Sequence, residues 1–460
     1  MKNSQTRKYQ IFKRRTLNIE PETSNLKPQT SNIKLGMQFE NNLEFAQHLD
    51  HQDPLKHFRR RFFIPQHSRT DWIYFTGNSL GLQPKTTKTY VEQELDEWAR
   101  LGVEGHFEAR HPWMSYHEIF PEQLSKIVGC LPHEVVVMNQ LTVNLHLLMV
   151  TFYRPSASRF KIICEAKAFP SDQYALESQV RNHGYDPDEA IIEVAPRAGE
   201  HNIRTEDILD AIRKNKDQLS LVLFGGVHYY SGQLLDIKTI TQAAHAVGVI
   251  AGFDLAHAAG NVILKLHEWD VDFACWCSYK YLNSGPGGVA GAYIHERHAT
   301  NPKLPRFAGW WGYTKVTRFK MEKGFQAIPT AEGWQVSNAP VLSMAAHKAS
   351  LDIFDEAGMD ALVEKSKILT AYLMFLIDDM NKDHPQKSIE IITPREQKDR
   401  GCQVSLLVPG GRAFFDSLLQ QGVMADWREP NVIRVAPVPL YNTFEEVWQF
   451  GSILNKIVNA

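Results

Sequence analysis

Two charged residues in this chain each follow an apolar run. Lys280, in Ser278-Tyr279-Lys280, comes after Phe273-Ala274-Cys275-Trp276-Cys277 and before a glycine-rich stretch. Asp254 closes Val249-Ile250-Ala251-Gly252-Phe253, and His257 stands three residues on. Lysine is rarely placed in apolar surroundings without a partner or a task. An acid and an amine at the carboxyl ends of neighbouring buried strands can face one cleft. That pair suits pyridoxal phosphate. The amine forms a Schiff base, and the carboxylate keeps the pyridine nitrogen protonated so that the ring withdraws electrons. The bland alternative is two unrelated charges at strand ends, and several other segments favour the cofactor.

Leu141-Thr142 follows a strand and opens a helix, where free backbone N–H groups suit a phosphate; Thr142 is equally readable as a plain N-cap. Phe169, just past a strand, is either a core aromatic or a ring that stacks on the pyridine. Asp172 reads as a helix N-cap or as a second acid near the ring. If the chain turns helically after Asp254, His257 shares its face, and a satisfied structural histidine competes with a cofactor contact. Arg434 is a lone arginine in the apolar run Asn431-Val432-Ile433-Arg434-Val435-Ala436-Pro437. Buried arginine needs a partner, which is either a structural acid or the carboxylate of an amino-acid substrate. The run Gly285-Pro286-Gly287-Gly288 lacks the Gly-Lys-Ser/Thr ending of a phosphate loop. His295-Glu296-Arg297-His298 has HxxH rather than HExxH spacing, so no metal is expected.

The elements that must position these residues alternate. Val135–Met138, Lys161–Cys164, Leu221–Phe224 and the runs ending at Asp254 and Cys277 read as buried strands, with helices from Thr142, beyond Asp172 and over Ile237–Val247. Continuous apolar strands spaced by helices predict a mostly parallel sheet covered on both faces. Helices over 345–356 and 363–379, then strands at 389–392 and 403–408, predict a smaller α/β domain. The expected division is a basic tail over 1–36, an N-terminal segment over 37–85 packing with the small domain, a large domain over 86–345 and a small domain over 346–460. The pattern from Leu43 to Arg61 reads as helical and charged. The tail carries eight Lys/Arg against Glu20 and Glu22 and has almost no apolar periodicity. It reads as disordered, or as lying upstream of a start at Met37.

A formal net charge of −2 over 460 residues gives no global signal for nucleic acid or an acidic membrane surface. There is no run of 18 apolar residues for a membrane helix. Five cysteines, an odd number with no CxxC pair, suit a reducing compartment, and a cytoplasmic protein is expected.

Longer motifs carry a resemblance. Tyr74-Phe75-Thr76-Gly77-Asn78-Ser79-Leu80-Gly81, Leu141-Thr142-Val143-Asn144-Leu145-His146, Phe169-Pro170-Ser171-Asp172, Phe253-Asp254-Leu255-Ala256-His257, the run from Cys275 through Ser278-Tyr279-Lys280 to Asn283, Gly309-Trp310-Trp311-Gly312, Ser337-Asn338-Ala339-Pro340 and Arg434-Val435-Ala436-Pro437 closely resemble the kynureninase family, from about Phe39 to the C-terminus. The resemblance implies the α/β, aspartate-aminotransferase-like type I fold of pyridoxal phosphate enzymes and a homodimer with shared active sites. It implies a hydrolase acting on carbon–carbon bonds in ketonic substances. That enzyme cleaves L-kynurenine, or its 3-hydroxy form, to anthranilate or 3-hydroxyanthranilate plus L-alanine, in tryptophan catabolism or pyridine nucleotide synthesis. It assigns Lys280 to the Schiff base, Asp254 to the pyridinium, His257 and Asp172 to ring support, and Phe169 to stacking, with Pro170 and Ser171 beside it. Leu141, Thr142 and Tyr279 hold the phosphate, and Tyr279 is also a proton-transfer candidate. Trp310 and Asn338 reach the site across the dimer interface. Ser79, His106 and Asn338 sit near the substrate's aromatic end and Arg434 at its carboxylate. One departure stands out: where relatives carry a serine after the third strand, this chain has Gly225-Gly226. The rival readings are a cysteine desulfurase-like lyase, for which only Cys402 looks loop-placed, and a non-catalytic binding module on the same scaffold.

Overall fold

Seven short apolar runs pair into one sheet: β1 (Val135–Val137), β2 (Lys161–Glu165), β3 (Ile191–Val194), β4 (Leu219–Gly225), β5 (Ile250–Asp254), β6 (Phe273–Trp276) and β7 (Gly291–Ile294). The protein is described by a computed structural model over residues 38–459, so the expected basic tail lies outside the described residues. The strand order is β1-β7-β6-β5-β4-β2-β3. β2 to β6 run parallel to one another, and β7 alone is reversed, inserted between β1 and β6. The mostly parallel sheet was legible in the apolar runs; β3 and the reversed β7 were not. β7 opens on Gly291 because the indole of Trp276 lies across from it: a Cβ there would stand 2.3 Å from that ring.

Side chains alternate across the strands and build a core on each face. Ile162, Cys164, Leu221, Leu223, Phe273 and Cys275 pack on one side against α1 (Leu141–Phe152) and α2 (Pro170–Asn182). Ile163, Val222, Phe224, Phe253 and Trp276 face the other side, where α3 (Ile237–Ala246) and α4 (Val341–Ala357) bury Ile240, Ala244, Met344 and Leu351. Both faces are therefore covered, and the carboxyl ends of β2, β4 and β5 open onto one edge.

α4 is followed at once by the 25-residue α5 (Met359–Asp383), with Gly358 at φ +73 between them. A division at 345 falls inside α4. A second, antiparallel sheet contains β8 (Glu390–Ile391), β9 (Val404–Leu407), β10 (Asp426–Arg428) and β11 (Val432–Val435) in the order β8-β9-β11-β10. The last helix, α6 (Phe444–Asn459), packs on α5. Near the N-terminus, Ile73–Tyr74 pairs in parallel with Val423–Met424, and Phe75 continues into hydrogen bonds with Met424 and Ala436. The helical pattern over 43–61 is broken: an α-helix ends at Gln52, Asp53-Pro54 interrupts it, and a 3₁₀ turn covers Lys56–Arg61. Pro54 lacks the N–H that a continuing helix requires.

Candidate active site

The strand ends deliver three carboxyl groups and an amine to one cleft. Asp254 ends β5, Glu165 ends β2, Asp172 lies in the first turn of α2, and Lys280 follows β6; all four are buried. The chain turns sharply after Asp254, whose Oδ1 accepts from the Ala256 amide at 2.7 Å. That turn aims His257 back into the cleft, where the Lys280 ammonium donates to His257 Nε2 at 3.0 Å. Burial, followed by the charge of Lys280, holds His257 well below the usual histidine range, so it is the neutral acceptor. The wall also includes Gln140, Leu141, Thr142, Phe169, Ser171, Gly225, Val227, Tyr229, Ala256, Cys277 and Tyr279.

Electrostatics separates the acids. Burial and then the neighbouring Asp254 carboxylate raise Asp172 well above the ordinary carboxyl range, so Asp172 keeps its proton and donates it to Asp254. Burial also raises Asp254, but this hydrogen bond, the Ala256 amide and the charge of Lys280 offset part of the rise. The pair shares one negative charge, which sits on Asp254. Tyr279 is raised by burial and by Cys277, so its hydroxyl is protonated at neutral pH.

These residues fit pyridoxal phosphate. The phosphate end is offered the N-terminus of α1, twelve residues long and without a side-chain cap. Two buried atoms lack partners, Oδ1 of Asp172 and Nδ1 of His257, as expected of groups that wait for a ligand. Phe169 is half-exposed at the mouth, with its ring centroid 5.7 Å from Lys280 Nζ and edge-on to Tyr229.

Several expectations change. Thr142 is not a cap: Gln140 precedes the helix, and Thr142 lies inside its first turn. Asp172 is not a cap either, because α2 begins at Pro170 with Phe169 at the capping position. Pro170 is exposed and does not line the cleft. Arg434 is not without an acid in its own chain. β10 and β11 place Asp426 opposite it, and its guanidinium bonds that carboxylate and the Tyr229 carbonyl. Arg428 binds the same Asp426, so two guanidinium groups share one carboxylate, and Nε of each is buried without a partner. Arg434 thus sits directly behind the Tyr229 wall.

Ser79, His106, Trp310 and Asn338 do not line this cleft within one chain. Ser79 and Asn338 are exposed, and Trp310 packs against Trp311 and Phe319. His106 lies edge-on to Trp113. The loop that bears Ser79 does touch the site: the Gly81 amide donates to the Tyr279 carbonyl at 2.8 Å, and a Cβ on Gly81 would stand 2.3 Å from the Lys280 carbonyl oxygen. Glu165, Arg428 and Tyr229 were not singled out from the sequence. For Glu165 the signal was present, since an acid closing an apolar strand is the reasoning that selected Asp254.

The chain is 57% identical over 421 residues to kynureninase from Flavobacterium psychrophilum, covering 91% of this chain and 99% of the relative. The chain belongs to the kynureninase family. The mouse kynureninase is 47% identical over 433 residues, covering 90% of this chain and 93% of the relative. Residues 362–454 match the profile of the kynureninase C-terminal domain. Among solved structures, a C-DES mutant with glycine covalently linked to its PLP cofactor superposes with a TM-score of 0.72 at 16% identity, covering 86% of this chain and 98% of that one. An apo cysteine desulfurase from Thermococcus onnurineus gives 0.68 at 18%, with 84% and 95% covered. These likenesses show the type I fold. They do not carry desulfurase chemistry here. Cys402 is buried and its amide is held by Asn261, while burial pushes its thiol up to about 12. It is not the exposed, ionised cysteine on a mobile loop which that chemistry needs.

Proposed function

We propose that this protein is a kynureninase: it binds pyridoxal phosphate at Lys280 and hydrolyses the Cβ–Cγ bond of L-kynurenine or its 3-hydroxy form, releasing an anthranilate and L-alanine. The observation that carries the reading is the Lys280 amine, buried beside neutral His257 in the same cleft as the Asp172–Asp254 pair, in a chain of this family. When bound, the cofactor supplies an electron sink for carbanions at Cα and Cβ. The chain supplies the rest. Asp254 holds a proton at the pyridine nitrogen, and Asp172, bonded to it, keeps its carboxylate aimed. Phe169 would cover the ring face, with Ser171 and Ala256 in the same wall and Pro170 beside it in the chain. The α1 N-terminus at Leu141 and Thr142, with Tyr279, takes the phosphate. Lys280, once released, moves the proton at Cα. The Tyr279 hydroxyl is positioned to move one near Cβ or Cγ.

Arg434 and Arg428 carry two positive charges against Asp426 alone, and this surplus favours a substrate carboxylate at the Tyr229 wall. Ser79 and His106 serve the aromatic end. The functional unit on this reading is a homodimer in which each copy lends Trp310 and Asn338 to the other's site. Exposed Phe307, Trp310, Val316, Phe319 and Met321 on one segment support a covered surface there. The division into a large domain over 86–345 and a small one over 346–460 belongs to the same reading. Five free cysteines support a cytoplasmic placement, and no helix among the described residues is long and apolar enough to cross a membrane.

The test incubates the purified protein with pyridoxal phosphate and L-kynurenine and follows anthranilate and alanine. Borohydride reduction and peptide mapping should place the pyridoxyl group on Lys280. No anthranilate from cofactor-loaded protein would overturn the substrate reading, and a label on another lysine would overturn the site.

A further inference from the structure

We propose that Glu165 is a positioning residue of this site: its carboxyl group grips the Gly225 amide and fixes the end of β4 against Asp254. The proposal rests on the cofactor reading of the cleft. Glu165 is buried at the end of β2, and the Gly225 amide lies 3.0 and 3.1 Å from its two oxygens. Gly225 is the register partner of Asp254, and the next amide, Gly226, donates to the Asp254 carbonyl at 2.7 Å. Glu165 therefore reaches Asp254 through two hydrogen bonds and one strand pairing. The room it uses is the room a side chain on β4 would need: a Cβ on Gly225 would stand 2.9 Å from Glu165 Oε1.

Among the described residues Glu165 has no lysine or arginine within ion-pair distance. The titratable groups that face it are Asp254 on β5, Asp172 on α2, Cys164 on its own strand and, across the cleft, Lys280. Three charged carboxylates against one ammonium would repel in so dry a place. Burial, with Asp254 adding to it, pushes Glu165 up to about 7, so below that pH it is mostly neutral.

Glu165→Gln, Glu165→Asp and Glu165→Ala separate the two parts of the role. Glutamine keeps an acceptor for the Gly225 amide and cannot ionise. It should hold pyridoxal phosphate within about threefold of wild type, with the same visible band, whereas alanine and the shorter aspartate should each lose about tenfold, the upper size of one lost neutral hydrogen bond. The second readout uses cofactor-free protein. A carboxyl raised in the fold binds an extra proton between its ordinary range and about 7, so wild-type stability falls relative to Glu165→Gln as pH rises through that window. Denaturant midpoints from pH 5 to 7.5 should therefore diverge. Parallel midpoints overturn the neutral-acid part. Wild-type cofactor affinity in Glu165→Asp, or in Glu165→Ala where that variant folds, overturns the positioning part. Neither readout uses kynurenine, so a wrong substrate assignment would appear separately, in wild-type turnover.

Discussion

Asp254 and Asp172 differ by environment alone: burial and then its neighbour's charge raise Asp172 well above the ordinary range, while the Asp172 hydrogen bond, the Ala256 amide and Lys280 offset part of the rise that burial gives Asp254. Asp254→Asn removes that charge and preserves the shape. Turnover should drop by about 10²–10³-fold, the range for deleting one preorganised charge partner, while cofactor occupancy read from the visible band changes far less. Near-normal turnover in the asparagine variant would remove Asp254 from its role. Arg434→Lys retains the charge and loses the forked geometry, so affinity for L-kynurenine and L-alanine should weaken by about 1.5–3 kcal/mol with cofactor binding intact. Spectral titrations of both amino acids check this; unchanged affinities would leave Arg434 as the structural partner of Asp426. Lys280, Asp254, Asp172, His257 and Phe169 were legible because each ends or follows an apolar run. The partner of Arg434 was not. It stands eight residues earlier on an adjacent antiparallel strand, a pairing set by the turn at Glu429-Pro430 rather than by local pattern.

Among the elements, β1, β2, β4, β5 and β6 announced themselves as apolar runs; β3 did not, and neither did β7, which opens on glycine and runs backwards. Its glycine is a packing requirement. Gly291→Ala would drive a methyl group into the buried Trp276 indole, and the sheet must shift to admit it. The expected cost is about 1–3 kcal/mol, read as a lower denaturant midpoint at unchanged slope. An unshifted midpoint would mean that the β7–β6 contact yields more readily than its geometry implies. The helix starts were misread for a related reason. Thr142 and Asp172 are residue types that favour caps, but here Gln140 and Phe169, two and three residues earlier, already take the capping positions, and the polar side chains face the cleft.

Across the whole molecule, one buried acid ties several elements together. Asp272 accepts from the Ala251 amide, His245 and His298, and pairs with Arg297, which joins β5, α3 and the segment after β7. Burial alone would raise this carboxyl, but the hydrogen bonds outweigh it and hold it well below the usual range. Its stabilisation is therefore present above about pH 3.9, the ordinary aspartate value, and is lost as pH falls toward the folded value. Asp272→Asn should cost about 3–5 kcal/mol near neutral pH, as when one partner of a buried ion pair is removed. The gap to wild type should narrow on acidification; a gap of constant size from pH 7 to 3 would refute the linkage. At the same scale, the proposed shared-site dimer predicts complementation. Lys280→Ala and Asn338→Ala variants, each inactive, should regain activity when mixed under conditions that exchange subunits, because one site of the hybrid is intact. No recovery after verified exchange would separate Asn338 from the partner's site.

The position of β7 also governs the order in which the protein can be made. β1 is the first strand of the sheet to leave the ribosome, yet its neighbour in the finished sheet is β7, about 150 residues later, or roughly 8–30 s of synthesis. β1 lacks its partner throughout that interval and the edge of β6 lacks it at the end, and a half-built sheet with open apolar edges is a substrate for chaperones or for other nascent chains. Nascent chains arrested before Gly291 emerges should be digested rapidly by added protease, and those arrested after Ile294 has cleared the exit tunnel should yield a resistant core. Equal resistance at both lengths would show that the sheet stands without its reversed strand. Lys280 is translated shortly before β7, so the residue proposed to capture the cofactor emerges almost together with the strand that completes the sheet.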